Sequence, residues 1–295
     1  MKRLHLNLKN IISVMLNSKL VKQIESFKIV RVCNLDINIL KSMTAPVIDG
    51  KERRNIIDIF CSEEYVQDDY IGNIASFVVI SPEGLPLAFF SLRCGELFKE
   101  TSKHRMEIAY NANTALNVLM DEKCSQEDHD KAWKAIQTAF KEGLNIDDIT
   151  NLTDKNLELE DDKRIDNNKY INRVLESYPA VELKLFGVNK SAERYWQSLG
   201  FPDDKKMGET LFWSKVVLTI ENIRKHVGCQ YMYLFAADKE PDGQLVQYYK
   251  VRLGFNANAN MSANKPYFDW STQFLFRDLS GILKQRDEFM SSFNC

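Results

Sequence analysis

Two stretches of this chain say nearly the same thing. "GQLVQYYKVRLGF" (Gly243 to Phe255) follows a strand-like run, "YMYLFAAD", and "NKSAERYWQSLGF" (Asn189 to Phe201) follows another, "VELKLFGV". Each has an apolar run, a polar link, a helical turn with two adjacent aromatics, and then Leu-Gly-Phe. Which of them is the working unit decides where a site lies.

Working outward, "AVELKLFGV" reads as a strand. "ETLFWSKVVLTIENIRKHVG" places Trp213, Val217, Ile220, Ile223 and Val227 on one helical face, with Gly228 as the stop. "QYMYLFAAD" is a strand, "GQLVQYYKVRLGF" a helix ending in glycine, "YFDWSTQFLFRD" a strand and "GILKQRDEF" a final helix. A strand–helix–strand crossover implies a locally parallel pair.

The N-terminal half is less sharply written. "MKRLHLNLKNIISVMLNSKL" begins like a signal peptide, but Lys9 and Asn10 interrupt its apolar part and no small-residue cleavage site follows. Residues 4–26 read as a basic amphipathic helix and "FKIVRVCNL" as a strand. Residues 36–70 read as helical with breaks at Pro46 and Gly50. "SFVVISPEGLPLAFFSLRCGELF" is a hairpin turning at Ser81 to Gly84. Residues 98–179 form a helical acidic insertion. In it "DKAWKAIQTAFKEG" is a helix with Trp133, Ile136 and Phe140 on one face, and "YINRVLESYP" is a short helix ended by Pro179. A mobile acidic link is expected near residues 144–166.

The chain has 295 residues, enough for one large domain or two small ones. Its net charge of −2 argues against a strongly electrostatic, sequence-blind nucleic-acid binder and leaves room for a local basic patch. The six cysteines (Cys33, Cys61, Cys94, Cys124, Cys229, Cys295) make no C-x-x-C pair, and the four histidines are scattered. Reduced thiols in a cytoplasmic protein are expected, with no metal site and no disulfide framework. No stretch approaches the ~18 apolar residues of a membrane span.

The C-terminal motif set resembles the GNAT N-acetyltransferase superfamily. In that family a central strand leads to a loop of the form R/Q-x-x-G-x-G/A, from which a helix starts at once. The next strand diverges, and a helix carrying a Tyr near L-G-F completes the site. The resemblance covers residues 180–275, and less clearly 27–97. It implies an α+β (mixed α/β) chain, a central mixed β-sheet flanked by helices in the acyl-CoA N-acyltransferase fold, here with a helical insertion. The single GNAT-like domain 1–295 then divides into an N-terminal helix (1–26), the first half of the sheet (27–97), the insertion (98–179), a cofactor-binding half (180–277) and a C-terminal helix (278–295).

If the first Leu-Gly-Phe unit were the working one, a glycine loop and helix would have to precede Val181, and residues 97–180 supply none. With the second unit every element falls in the family's order. The loop is then "KKMGET" (Lys205, Lys206, Met207, Gly208, Glu209, Thr210), with Lys205 in the place of Arg or Gln and Thr210 in that of a small residue. The resemblance implies that this loop holds the pyrophosphate of acetyl-coenzyme A. It implies that unpaired backbone at Leu185, Phe186, Gly187, Val188 and near Ala236 holds the pantetheine arm. It makes Tyr249 or Tyr248 the acid that meets the leaving thiolate, and Glu182 a candidate base. The tyrosines stand one residue further from Leu-Gly-Phe than the family pattern, about 100° of helical rotation, so Tyr249 is the first choice and Tyr248 the second.

The implied activity is acetyl transfer to a primary amine. The acceptor is a small molecule, a peptide or an aminoacylated RNA, and the sequence does not choose among them. A homodimer is compatible with the sequence, and a membrane partner is not implied. The rival reading is a non-catalytic GNAT-like module that binds acyl-coenzyme A or another protein.

Overall fold

The computed structural model describes residues 19–45, 47–48, 51–52, 54–121, 123–160, 172–237, 243–258, 261–264 and 272–294. The chain divides into two compact units, one of residues 1–97, 178–258 and 263–295, the other of residues 98–177 and 259–262. The sequence reading takes 1–295 as one domain. The insertion instead packs around apolar residues of its own, including Ala109, Ala112, Ala139 and Ile149, and so forms a separate unit.

In the first unit α1 (19–26) leads into β1 (Lys28–Arg31), α2 (Ile37–Lys41), the small hairpin β2 (Val47–Ile48) and β3 (Lys51–Glu52), then α3 (Arg54–Phe60) and α4 (Glu63–Ile71). Residues 1–18 of the expected basic helix lie outside the described residues. β1 is shorter than "FKIVRVCNL" suggested, because Val32–Asn34 turns into a 3₁₀ helix. The expected hairpin is β4 (Ala75–Ile80) with β5 (Pro86–Ser102). Its turn closes through the Ser81 N–H on the Leu85 carbonyl and Gly84 at φ 87°, a conformation glycine adopts without a Cβ clash.

In the second unit, α5 (Lys103–Met120), α6 (Gln126–Lys141) and α7 (Ile146–Glu160) pack together. Two expectations fail here. Residues 146–160 of the supposed mobile link are helix, and "YINRVLESYP" is strand from Asn172 onward. Pairing with β5 overrides the local helical pattern. On α6 only Ile136 of the expected apolar face is buried, together with Ala132 and Ala139; Trp133 and Phe140 are exposed.

The chain returns through β6 (Asn172–Val188), α8 (Glu193–Ser198), α9 (Met207–Leu211), a π-helical turn at Phe212–Val216, and α10 (Val217–His226). Then come β7 (Tyr231–Ala236), α11 (Gln244–Leu253), β8 (Met261–Ala263), which pairs with β5, β9 (Gln273–Asp278) and α12 (Ile282–Ser291). Val227 falls outside α10 and is exposed, because the chain has already turned extended there. Met207 to His226 is one helical run. Within its π turn the buried Lys215 Nζ donates to the Phe27 carbonyl at 2.7 Å, just beyond the C-terminus of α1.

The sheet order is β1-β4-β5-β6-β7-β9. β6 and β7 run parallel, while β1–β4, β4–β5 and β7–β9 are antiparallel. The fold is therefore mixed α+β, with an open mixed sheet between two helical layers. One face of the sheet packs on Leu211, Val216, Val217 and Ile220, the other on Phe60 and Tyr65. Among the described residues no helix is long and apolar enough to cross a membrane.

Asn189, fully buried at the end of β6, fixes this strand. Its Nδ2 donates to the Pro86 carbonyl at 2.7 Å, and its Oδ1 accepts from the Thr44 N–H at 2.9 Å and the Ser191 hydroxyl at 2.9 Å. Its backbone N–H reaches the Leu87 carbonyl at 2.8 Å. Asn189→Leu keeps the bulk but strands a buried carbonyl and a part-buried N–H. At about 1–3 kcal/mol for each unsatisfied group, urea unfolding is expected to show a loss of about 2–5 kcal/mol. A loss under about 0.5 kcal/mol, as for an ordinary surface change, would remove this side chain as the anchor.

Candidate functional site

β6 and β7 pair at Ala180–Tyr231, Val181–Met232 and Glu182–Tyr233. Beyond Glu182 no pair is recorded among the described residues, although β6 runs on to Val188 and β7 to Ala236. β7 instead follows β9 as far as Ala236–Gln273. The two neighbours part and leave a wedge edged by unpaired backbone groups, which demand a partner.

The side chains of β6 mark a dislocation at the same point. Val181, Leu183, Phe186 and Val188 face the α10 side. Between them Lys184, 5.4 Å over the Tyr65 ring, and Leu185 both face the α3–α4 side. Two residues where alternation allows one is the mark of a β-bulge.

Beside the wedge the helix run starts at Met207. Its N-cap, Lys206, makes no side-chain cap hydrogen bond, so the first N–H groups carry a partial positive charge that this side chain does not meet; Glu209 lies in the first turn. A Cβ on Gly208 would sit 3.3 Å from the Tyr248 hydroxyl and 3.4 Å from Val188 Cγ1. The wedge end of β6, the loop glycine and the α11 tyrosine therefore meet. Thr210 is fully buried, and its hydroxyl has no partner.

The two tyrosines take different places. Tyr248 reaches Gly208, and burial pushes its hydroxyl well above the ordinary tyrosine range, with Tyr249 and Glu209 adding to the rise. Tyr249 belongs to the core, its ring 5.8 Å from Phe255, and burial pushes its hydroxyl up to about 12. Both hydroxyls keep their protons at neutral pH. The sequence order of preference, Tyr249 before Tyr248, does not match these positions, because the extra residue before Leu-Gly-Phe turns Tyr249 inward.

Other expected site residues have other neighbours. Lys205 turns away from the loop: its Nζ donates to the Ser292 hydroxyl at 2.5 Å and lies over Phe289 and Phe293 at 4.9 and 5.1 Å. Lys206 is exposed. A Cβ on Gly187 would lie 2.6 Å from the Phe89 ring, so this glycine makes room for the core as well as any ligand. Ala236 is buried at the tip of β7. Glu182 is buried and ion-paired with Arg93, at 2.8 Å to Nε and 2.5 Å to a terminal nitrogen.

The opening question of the two Leu-Gly-Phe units has a structural answer. In the first, Trp196 stacks on Phe201 at 4.0 Å and its Nε1 donates to the Lys205 carbonyl at 3.3 Å. This unit buttresses the loop from behind. The second carries Tyr248, and its turn, with Gly254 at φ 69°, is clamped by the buried Arg277, which donates to the Leu253 carbonyl and to Gln285 Oε1. Sequence reading gave no part to Arg93 or Arg277 and did not foresee Asn189 as the anchor of β6, because the partners of all three lie far off in sequence.

No family model and no curated protein matches the chain. Distantly similar solved structures include AtaTR bound with AcCoA, at a TM-score of 0.42 and 11% identity, covering 88% of this chain and 98% of that one. AtaT complexed with acetyl-methionyl-tRNAfMet gives a TM-score of 0.41, 11% identity and coverage of 88% and 98%. A KacTA–DNA complex gives 0.41, 12% identity and coverage of 89% and 99%. At this level of likeness they carry no weight for the present chain. The chain's own strand order, the parallel β6–β7 pair and the helix run from Met207 stand as described above.

Glu209, in the first turn of the helix, is 6% exposed and 3.9 Å from Arg252. Burial raises its carboxyl above the ordinary range, opposed by Arg252 and Lys205. A carboxyl whose proton is held more tightly in the folded state favours folding at low pH, and that advantage is lost as the pH rises through the folded value. Glu209→Gln is therefore expected to unfold at higher urea than the parent near about pH 8, and to lose that gain near about pH 3. An equal difference at both would show that the carboxyl titrates normally.

Proposed function

We propose that this chain is an N-acetyltransferase that moves the acetyl group of acetyl-coenzyme A to a primary amine. The observation that carries the reading is the parting of β6 and β7 after Glu182, at a bulge, beside an uncapped helix start and a protonated tyrosine. The residues fit this co-substrate. The first N–H groups at Met207, Gly208 and Glu209, with Lys206, suit a pyrophosphate. The orphan Thr210 hydroxyl suits a further polar contact. The open edges at Leu185–Val188 and near Ala236 suit the two amides of the pantetheine arm. Acetyl-coenzyme A supplies an activated acyl group with a thiol leaving group. The reduced thiols and composition suit the cytoplasm.

The chain's own contribution is positional and electrostatic. The wedge holds the arm so that an amine lone pair meets the thioester carbonyl. As the C–N bond forms and the C–S bond breaks, negative charge grows on sulfur; the Tyr248 hydroxyl gives it a proton and takes one back from solvent, which leaves the tyrosine neutral. The proton lost from the attacking nitrogen goes to water. Glu182 is held by Arg93, so it does not serve as a free base in this arrangement. Tyr248 takes precedence over Tyr249 because its hydroxyl borders Val188 and Gly208 at the edge of the wedge.

Gly208→Asp puts a carboxylate where the pyrophosphate would lie, and calorimetric titration should show acetyl-coenzyme A binding lost while the fold is kept. An unchanged affinity would take the loop out of the site. Tyr248→Phe is expected to lower kcat by about 10²–10⁴-fold, the usual worth of general acid catalysis, with little change in co-substrate affinity. Tyr249→Phe should fall well short of that, since its hydroxyl lies in the core. Binding without turnover across a broad amine panel would instead favour the non-catalytic acyl-coenzyme A module.

A further inference from the structure

Where the wedge begins, the sheet carries a built polar cluster on the face opposite α10. The Glu182 carboxylate, 2% exposed, accepts two N–H groups of Arg93. Arg93 lies near enough to Tyr233 to offset part of the rise that burial and Glu182 cause in its hydroxyl. Tyr233 lies over Gly95, where any Cβ would collide with its hydroxyl. Tyr65 shares a 2.6 Å hydrogen bond with Ser91 on the same face, and Lys184 covers its ring. Burial pushes both tyrosine hydroxyls up to about 12, so each remains a donor at neutral pH.

A buried carboxylate is costly unless it is paired, yet its partner is not buried. The Arg93 side chain is 39% exposed. A guanidinium has five N–H donors in a planar fork. Glu182 takes two on one edge, which fixes the plane of the fork and presents its other donors outward. An anion arriving at that outer edge lies nearer the guanidinium than the carboxylate behind it, so attraction prevails. Glu182 and Tyr233 are the last paired residues before β6 and β7 part. A group held by Arg93 therefore sits at the root of the wedge.

We infer that Arg93, oriented by Glu182, binds an oxyanion carried by the amine acceptor, a carboxylate or a phosphate. This rests on the acetyl-transfer reading and narrows it: the acceptor is a small amine with an anionic group near its nitrogen. Glu182 is then a positioning residue for Arg93.

The test uses the full chain and matched amines: an amino acid against its carboxamide, and an aminoalkyl phosphate against its amino alcohol. Binding is read by thermal shift without acetyl-coenzyme A, and initial rates are read with it. The expected result is binding and turnover of the anionic member of a pair, and the pair that responds identifies the oxyanion. Arg93→Gln leaves a buried carboxylate alone and can fail to fold, so the decisive variant is Arg93→Lys, which keeps a charge beside Glu182 but loses the planar fork. It should raise KM for the anionic acceptor by about 10–100-fold, the worth of a charge-assisted hydrogen bond. The kcat and the acetyl-coenzyme A affinity should hold. Equal use of charged and neutral members, or an equal effect of Arg93→Lys on both, overturns the inference. Failure of the wild type to bind acetyl-coenzyme A overturns the acetyl-transfer reading instead. Oxyanion binding lost in Arg93→Lys without co-substrate would still support the Arg93 site.

Discussion

The side-chain amide of Asn189 holds the end of β6 against β5, and the wedge depends on that hold. Its bonds to Pro86, Thr44 and Ser191 leave β6 no freedom to follow β7. β7 meanwhile pairs along its whole length with β9. Two parallel neighbours tied to different partners must separate once their shared ladder ends. The bulge at Lys184 and Leu185 lets β6 change direction without surrendering its apolar residues on either face. The strand edges beyond Glu182 are thereby held apart.

The helix run from Met207 is aimed at that opening by two aromatic anchors. Trp196 of the first Leu-Gly-Phe unit holds the loop at Lys205, and Trp213 donates to the Arg252 carbonyl at 3.3 Å on α11. Arg277 completes the clamp, lying 5.2 Å from Trp213 and 5.9 Å from Phe255. Its burial lowers the guanidinium's affinity for its proton to a pKa of about 10, still charged at neutral pH. The two similar motifs thus divide the labour, one supporting the loop and the other presenting Tyr248 to it. Lys205, drawn away by Phe289, Phe293 and Ser292, ties the C-terminal helix to the same loop.

Charge at the site is arranged by burial as much as by type. Glu209 and Glu182 both sit where water is scarce, but the former has a partner only at 3.9 Å and the latter has a fork of Arg93 within 2.8 Å. Glu209 accordingly holds its proton more tightly than an ordinary carboxyl, while Glu182 is held in an ion pair. A negative group in the first turn favours the helix, so Glu209 in its ionised form supports the element.

The order of elements in the C-terminal half was legible in the sequence because each is marked locally. Strand periodicity, the glycine stops and the aromatic turn before Leu-Gly-Phe depend on neighbours a few residues apart. That only one of the two Leu-Gly-Phe units has a glycine loop and a helix before it was also legible from order alone. The strand at Asn172 onward was not legible, because its pairing with β5 is a tertiary contact that overrides a helical pattern. Nor were the different neighbours of Tyr248 and Tyr249, one facing Gly208 and the other in the core, which turn on one residue of helical rotation. The ion pair of Arg93 with Glu182 joins residues 89 apart in sequence. The sequence thus determined which elements exist and in what order. Only the tertiary structure decided which edges stay open and which side chains face them, because those depend on hydrogen bonds and packing between distant parts of the chain.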